Sequence, residues 1–78
     1  MKSSLTTYTA KQYIGKLIKQ QRIKQKLTQQ ELAALVGVDR QYIWNVENGR
    51  INISLDYLDD IITKLKCIHS DFFKSLKE

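Results

Sequence analysis

Side chains that carry paired hydrogen-bonding groups are concentrated between residues 40 and 48. Arg40, Gln41, Trp44, Asn45 and Asn48 stand at positions i, i+1, i+4, i+5 and i+8. At about 100° per residue these positions share one face of a helix. An arginine matches the two acceptors of guanine, and a glutamine or asparagine amide matches the donor and acceptor of adenine. The pattern predicts a face that reads base edges, with an ordinary polar outer face as the alternative.

The other side of the same predicted helix carries Ile43, Val46 and Glu47. Arg22 lies in the otherwise apolar sector of an earlier helix, one turn after Ile18. A buried charge without a partner is expensive. The burial pattern therefore predicts a structural ion pair between Arg22 and Glu47.

Two short helices joined by a tight turn are predicted to position this face. Thr28 and Glu31 have the spacing of a capping box, which starts the first of them. Gly37 ends it, because glycine adopts the left-handed conformation without a Cβ penalty. Val38 is the apolar plug of the turn, and Asp39 caps the second helix. This arrangement predicts a helix-turn-helix unit.

Three further helices complete a predicted all-α, compact five-helix fold. The first covers about residues 10–26, another starts at the cap Ser54, and a short last one covers residues 70–76. Residues 1–9 are predicted to form a flexible arm, and residues 10–78 one helix-turn-helix domain with C-terminal dimerisation helices. The apolar residues that support these helices are Ile14, Leu17, Ile18, Leu55, Leu58, Ile61, Ile62, Leu65, Phe72 and Phe73.

The composition fits one small globular domain. The chain has 78 residues, 42% of them hydrophobic, with no proline and a net charge of +5. A single cysteine excludes a disulfide framework within the chain and favours a reducing compartment. The sequence has neither a signal-peptide core nor an apolar run of about 20 residues that could span a membrane. We therefore expect a cytoplasmic protein without a membrane contact.

The positive charge is concentrated in the first two thirds of the chain. Residues 1–50 hold nine basic and three acidic residues, whereas residues 51–78 hold four lysines and five acidic residues. This asymmetry suits one end that faces a polyanion and another end with a different role.

Residues that could serve catalysis or bind a metal are sparse. Cys67 and His69 are only two residues apart and no further Cys or His lies nearby, so they cannot form a tetrahedral zinc site. Cys67 is better explained as a small apolar filler. We expect no metal, no cofactor and no enzymatic activity.

The helix-turn-helix motif resembles the phage repressor/Cro-like family, also called XRE-like. The matching residues are the segment 28–33, Gly37, Val38, Ile43 and the segment 47–50. Within that family the sequence is most similar to the controller proteins of restriction–modification systems. The segments 39–43 and 52–55 and the pair Phe72-Phe73 carry this similarity.

The resemblance implies a transcription regulator that binds double-stranded DNA as a homodimer on a palindromic operator. It implies phosphate contacts at Gln29, Arg50 and Asn52. For Tyr42, half-buried packing is an equal alternative. It also implies the Arg22–Glu47 pair. The full set of predicted phosphate contacts is Thr28, Gln29, Tyr42, Asn48, Arg50 and Asn52.

The nearly neutral C-terminal segment predicts the dimer interface. Phe72 and Phe73 diverge by about 100° on a helix, so both can hardly face one core. We expect Phe73 to pack within the protomer and Phe72, Ile68 and Leu76 to reach the partner. The alternative is that both phenylalanines are buried within one protomer.

Two other functions remain open at this point. The first is an antitoxin-type regulator that also binds a toxin protein. The second is a protein-interaction module in which Trp44 anchors a partner. A polymerase subunit is a further candidate partner, while the operator sequence and the choice between repression and activation are not predicted.

Overall fold

Four α-helices form the part of the chain that the computed structural model describes, residues 9–66. They are α1 (Ala10–Lys24), α2 (Gln29–Val36), α3 (Arg40–Glu47) and α4 (Leu55–Lys64). All regular secondary structure within residues 9–66 is helical, which confirms the all-α class. The predicted arm up to residue 8 and the predicted helix over residues 70–76 lie outside the described residues.

Each of the four helices begins with a side chain that accepts a hydrogen bond from a backbone N–H of the first turn. The predicted capping box of Thr28 and Glu31 is confirmed, and Asp39 and Ser54 cap α3 and α4 as predicted. Thr9 forms a second capping box with Gln12 at the start of α1. These caps satisfy backbone groups that a helix terminus leaves unpaired.

The helix ends depend on residues in the left-handed conformation. Gly37 ends α2 with φ of 85°, as predicted. Helix α1 stops at Lys24, two residues earlier than predicted, because Lys26 adopts a φ of 62°. The N–H groups of Lys26 and Leu27 donate to carbonyl groups of the last helical turn, and these two bonds form a Schellman motif. A lysine therefore occupies a position that glycine usually takes.

The core lies between all four helices. Ile43 and Val46 of α3 are buried, which supports their predicted place in the wedge between helices, and Val38 is partly buried and packs against the core. Leu55, at the start of α4, is 81% exposed and does not belong to the core. The fully packed apolar residues are Leu17, Ile18, Leu32, Ala33, Ile43, Val46, Leu58, Ile61, Ile62 and Leu65.

None of the helices within residues 9–66 is both long and apolar enough to cross a membrane.

Candidate nucleic-acid interface

The candidate interface is the outer side of α3 together with the start of α2 and the loop after α3. Arg40 and Gln41 are exposed in the first turn of α3, and Trp44 and Asn45 are half-buried one turn later. Ile43 and Val46 anchor the inner side of the same helix in the core. The packing of this apolar side turns the polar side outward.

The predicted ion pair sits directly beneath this surface. Arg22 donates from Nε to Oε2 of Glu47 at 2.6 Å and from Nη2 to Oε1 at 3.1 Å. Both residues are buried, and Nη1 of Arg22 donates to the carbonyl oxygen of Leu27 at 2.8 Å. The two parallel hydrogen bonds give the bidentate geometry that fixes both side chains.

A chain of hydrogen bonds runs from this ion pair to the surface. Gln29 donates from Nε2 to Oε1 of Glu47 at 3.0 Å. Arg40 in turn donates from Nη1 to Oε1 of Gln29 at 3.2 Å. The side chain of Gln29 is therefore engaged on both sides by protein groups. It holds the guanidinium of Arg40 beside the start of α2, a link that the separate residue predictions did not anticipate.

Gln41 and Asn45 also form a pair on the surface of α3. Nε2 of Gln41 donates to Oδ1 of Asn45 at 3.2 Å, across one helical turn. Gln41 keeps its carbonyl oxygen and a second N–H for another partner, and Asn45 keeps its Nδ2 donors. The pair thus retains both a donor and an acceptor, which adenine recognition in the major groove requires.

Trp44 and Arg50 contact each other at the C-terminal end of α3. The guanidinium carbon of Arg50 lies 5.5 Å from the centroid of the Trp44 ring. Asn48, predicted to contact phosphate, donates from Nδ2 to the carbonyl oxygen of Trp44 at 2.9 Å and so caps the helix end. The sequence offers a weak signal for the Trp44–Arg50 contact, a cation six residues after the ring.

Tyr42 packs against Tyr57 of α4. Their ring centroids are 5.4 Å apart with planes tilted by 46°, and Tyr42 is half-buried. Burial, and then the neighbouring Tyr57, raise the pKa of the Tyr42 phenol above its usual 10.0. The hydroxyl is therefore protonated at neutral pH and can donate a hydrogen bond. The packing role of Tyr42 is established by this geometry, and its phosphate contact stays a prediction.

The start of α2 presents polar groups to solvent. The hydroxyl of Thr28 accepts from the N–H of Glu31 at 3.0 Å, and Oε1 of Glu31 accepts from the N–H of Thr28 at 2.8 Å. The backbone N–H of Gln29 belongs to the first turn, where helix geometry provides no acceptor within the helix. Asn52 is exposed in the loop between α3 and α4.

The remaining predictions concern residues outside this surface. Ile68, Phe72 and Leu76, the predicted dimer contacts, lie outside the described residues, as do Cys67 and His69. Between residues 9 and 66 no three His, Cys, Asp or Glu side chains come together in a way that could hold a metal ion.

Comparison with known proteins agrees with this geometry. A family model described as helix-turn-helix matches residues 18–73. The control protein C.MunI of a Mycoplasma species is 35% identical over 64 residues, which cover 82% of this chain and 86% of that protein.

Solved structures share the same fold. The restriction-modification controller protein C.AhdI from Aeromonas hydrophila is 32% identical, with a TM-score of 0.75 over 81% of this chain and 91% of that chain. The controller protein C.Esp1396I is 28% identical, with a TM-score of 0.80 over 86% of this chain and 87% of that chain. The chain therefore belongs to the helix-turn-helix family, the DNA-binding regulators that its sequence resembles.

Proposed function

We propose that the protein is a sequence-specific regulator that binds a palindromic operator as a homodimer and controls its own operon or neighbouring genes. The observation that supports this most strongly is the exposed polar side of α3, held on a buried apolar side. The second helix of a helix-turn-helix unit is the one that enters the major groove. We therefore expect the paired groups of Arg40 and Gln41 to face base edges.

Base reading is assigned to Arg40, Gln41 and Asn45, with Trp44 beside them. The contact of Arg40 with Gln29, 3.2 Å long, limits the freedom of the guanidinium before DNA is bound. The hydrogen bond between Gln41 and Asn45 likewise limits the rotational freedom of their two side-chain amides. A side chain that is already ordered loses less conformational entropy on binding.

Phosphate contacts are assigned to the groups that surround this reading surface. The start of α2 offers the hydroxyl of Thr28 and the backbone N–H of Gln29, and a helix N-terminus favours an anion. Arg50 and Asn52 follow α3 and are exposed. Tyr42 and Asn48 complete the proposed set. These contacts would fix the register of the protein on the duplex without reading sequence.

The controller role rests on the relatives. C.MunI is a control protein, and C.AhdI and C.Esp1396I are restriction-modification controller proteins. One C.Esp1396I structure is a tetramer in complex with its natural 35 base-pair operator. By analogy we propose a dimer formed by Ile68, Phe72 and Leu76, acting in the cytoplasm without an enzymatic step. A toxin or a polymerase subunit as a second partner is a separate hypothesis.

Selection of bound duplexes from a random pool tests this proposal directly. We expect enrichment of a palindrome whose half-site centres are about 34 Å apart, one turn of DNA. Affinity for the selected site is expected to fall by orders of magnitude between low and physiological salt. No enrichment, or binding to a protein partner that salt barely changes, contradicts the proposal.

Sedimentation tests the dimer separately. A dimer is expected at tens of micromolar protein without DNA, and Phe72→Asp is expected to dissociate it. A monomer at that concentration contradicts a stable dimer. A dimer that survives Phe72→Asp shows that the interface lies elsewhere.

A further inference from the structure

We propose that Trp44 is a positioning residue, whose ring holds the Arg50 guanidinium at the C-terminal end of α3 in place to bind a DNA phosphate. This inference rests on the proposed DNA-binding function and gives Trp44 a role other than reading a base. Three features of the described residues support it: the backbone at the end of α3, the contact of the two side chains and the chemistry of the indole ring.

The backbone brings Arg50 back to the last turns of α3. Gly49 adopts a φ of 66°, and its N–H donates to the carbonyl oxygen of Val46 at 3.1 Å. The N–H of Arg50 donates to the carbonyl oxygen of Asn45 at 2.9 Å. These two bonds form a Schellman motif. The Cα of Arg50 is thereby fixed beside the turn that carries Trp44.

The side chains then meet in a cation–π geometry. The guanidinium carbon of Arg50 is 5.5 Å from the Trp44 ring centroid, within the range at which an aromatic face attracts a cation. Trp44 is half-buried on the helix, whereas Arg50 is exposed. A guanidinium carries five N–H donors, and attraction to an aromatic ring does not use all of them, so donors remain for a phosphate.

The energetic benefit comes from order rather than from a new contact with DNA. An arginine has a flexible side chain with considerable conformational entropy, which phosphate binding would otherwise have to restrict. Tryptophan has only two side-chain torsions, and Trp44 is half-buried. Contact with a rigid ring therefore reduces the entropy that Arg50 loses on binding.

Trp44 is poorly suited to the alternative of reading a base. The indole has one N–H donor and no acceptor, so it cannot make the bidentate contacts that discriminate bases. An apolar contact with a thymine methyl is the remaining way for it to read sequence. The two roles differ in their consequences, since a base contact changes sequence preference and a phosphate contact changes salt dependence.

The contact itself can be tested in the free protein. The Trp44 ring centroid lies 5.5 Å from the guanidinium carbon of Arg50, so removal of this ring identifies its share of the ring-current effect on the Arg50 side-chain protons. In proton–nitrogen and proton–carbon NMR spectra we expect the Arg50 side-chain signals to be shifted upfield and Trp44→Leu to abolish the shift. Signals of Arg50 at random-coil positions in the wild-type protein overturn the proposal without any reference to DNA.

Operator binding tests the consequence of the contact. Trp44→Leu and Arg50→Met are each expected to weaken binding, and the double variant is expected to bind no worse than Arg50→Met alone. Loss of the positioning contact is expected to cost about two- to five-fold in affinity. The magnitude of the slope of log K against log salt is expected to decrease by about one per protomer in Arg50→Met. It is also expected to decrease in Trp44→Leu. Trp44→Phe, which keeps an aromatic face, is expected to restore most of the affinity and slope.

Controls separate this inference from the proposed function. Lys64→Met removes an exposed cation of α4 and is expected to leave the salt slope unchanged. Thermal unfolding is expected to show that Trp44→Leu remains folded, since its side chain is outside the buried core. A Trp44→Leu variant that keeps the salt slope but changes the preferred base at one position is one contrary result, and an effect that adds to that of Arg50→Met is another. Either result would show that Trp44 acts independently of Arg50, and the inference would be wrong. Absence of DNA binding by the wild-type protein overturns the proposed function and this inference together.

Discussion

Gly15 of α1 lies against the backbone of Val46 at the C-terminal end of α3. A Cβ at Gly15 would stand 2.3 Å from the carbonyl oxygen of Val46 and 2.7 Å from that of Glu47. Backbone oxygens cannot yield as a flexible side-chain end can. The absence of a side chain at Gly15 therefore sets how closely the first helix approaches the proposed recognition helix.

This contact predicts the sign of one substitution. In a helix interior without a close neighbour, glycine to alanine stabilises by about 1 kcal/mol. Here we expect Gly15→Ala to destabilise by about 1–3 kcal/mol, because the added methyl forces α1 and α3 apart. Urea unfolding followed by circular dichroism measures the change. Gln20→Ala on the exposed side of α1 is the control, and a stabilised Gly15→Ala variant would contradict the close approach.

The ion pair of Arg22 and Glu47 predicts strong non-additivity. Removing one partner leaves a buried charge, so Arg22→Met and Glu47→Leu are each expected to cost about 3–5 kcal/mol of unfolding free energy. The double variant removes both charges and is expected to cost clearly less than the sum of the two. Denaturant unfolding of the four proteins gives the coupling energy. Additive costs would show that the 2.6 Å contact is not energetically coupled.

Some of this architecture is predictable from sequence because it depends on neighbours along the chain. The capping box of Thr28 and Glu31, the turn at Gly37 and the cap at Asp39 each follow from residues within three or four positions. The ion pair also follows, since a charge in an apolar sector needs a partner. These features define the helix-turn-helix unit, which explains why the fold class and the outward polar side of α3 can be derived from the residues.

Other features depend on how the elements pack. The role of Gly15 becomes visible only when α1 crosses α3, since its sequence neighbours give no sign of a close approach. The link from Arg22 through Glu47 and Gln29 to Arg40 joins helices α1, α3 and α2. The sequence prediction places the end of α1 two residues too late, because a lysine such as Lys26 rarely adopts the left-handed conformation.

Lys26 offers a stabilising substitution. A left-handed conformation costs a residue with a Cβ roughly 1–2 kcal/mol, and glycine avoids that cost but loses more chain entropy on folding. We expect Lys26→Gly to raise the unfolding free energy by about 0.5–1 kcal/mol. The matched control is Lys24→Gly in the last turn of α1, which is expected to destabilise by about 1 kcal/mol. Thermal melting compares the two, and destabilisation by both would refute the role of the φ at Lys26.

The Tyr42 phenol predicts a dependence of stability on alkaline pH. Its pKa is raised by burial and by Tyr57, so the folded state favours the neutral hydroxyl. The free energy by which this pKa difference stabilises the folded state is fully present below pH 10.0, the pKa of the phenol in the unfolded chain. It is lost as the pH rises through the higher pKa of the folded state. The difference in absorbance at alkaline pH between wild type and Tyr42→Phe isolates this group. A midpoint of that difference at or below 10.0 would be inconsistent with the burial of Tyr42.

Arg40 and Gln41 give the most direct test of the reading surface. Loss of a bidentate base contact is expected to cost about 1–3 kcal/mol at one base position and to relax the preference there. We expect this for Arg40→Ala and Gln41→Ala, measured by competition between the selected operator and variants changed at single base pairs. Arg40→Lys keeps the charge but not the planar fork. It is therefore expected to retain the salt dependence while losing discrimination at that position. Parental affinity and preference in both alanine variants would remove these residues from the interface, and Gln20→Ala on α1 serves as the exposed amide control.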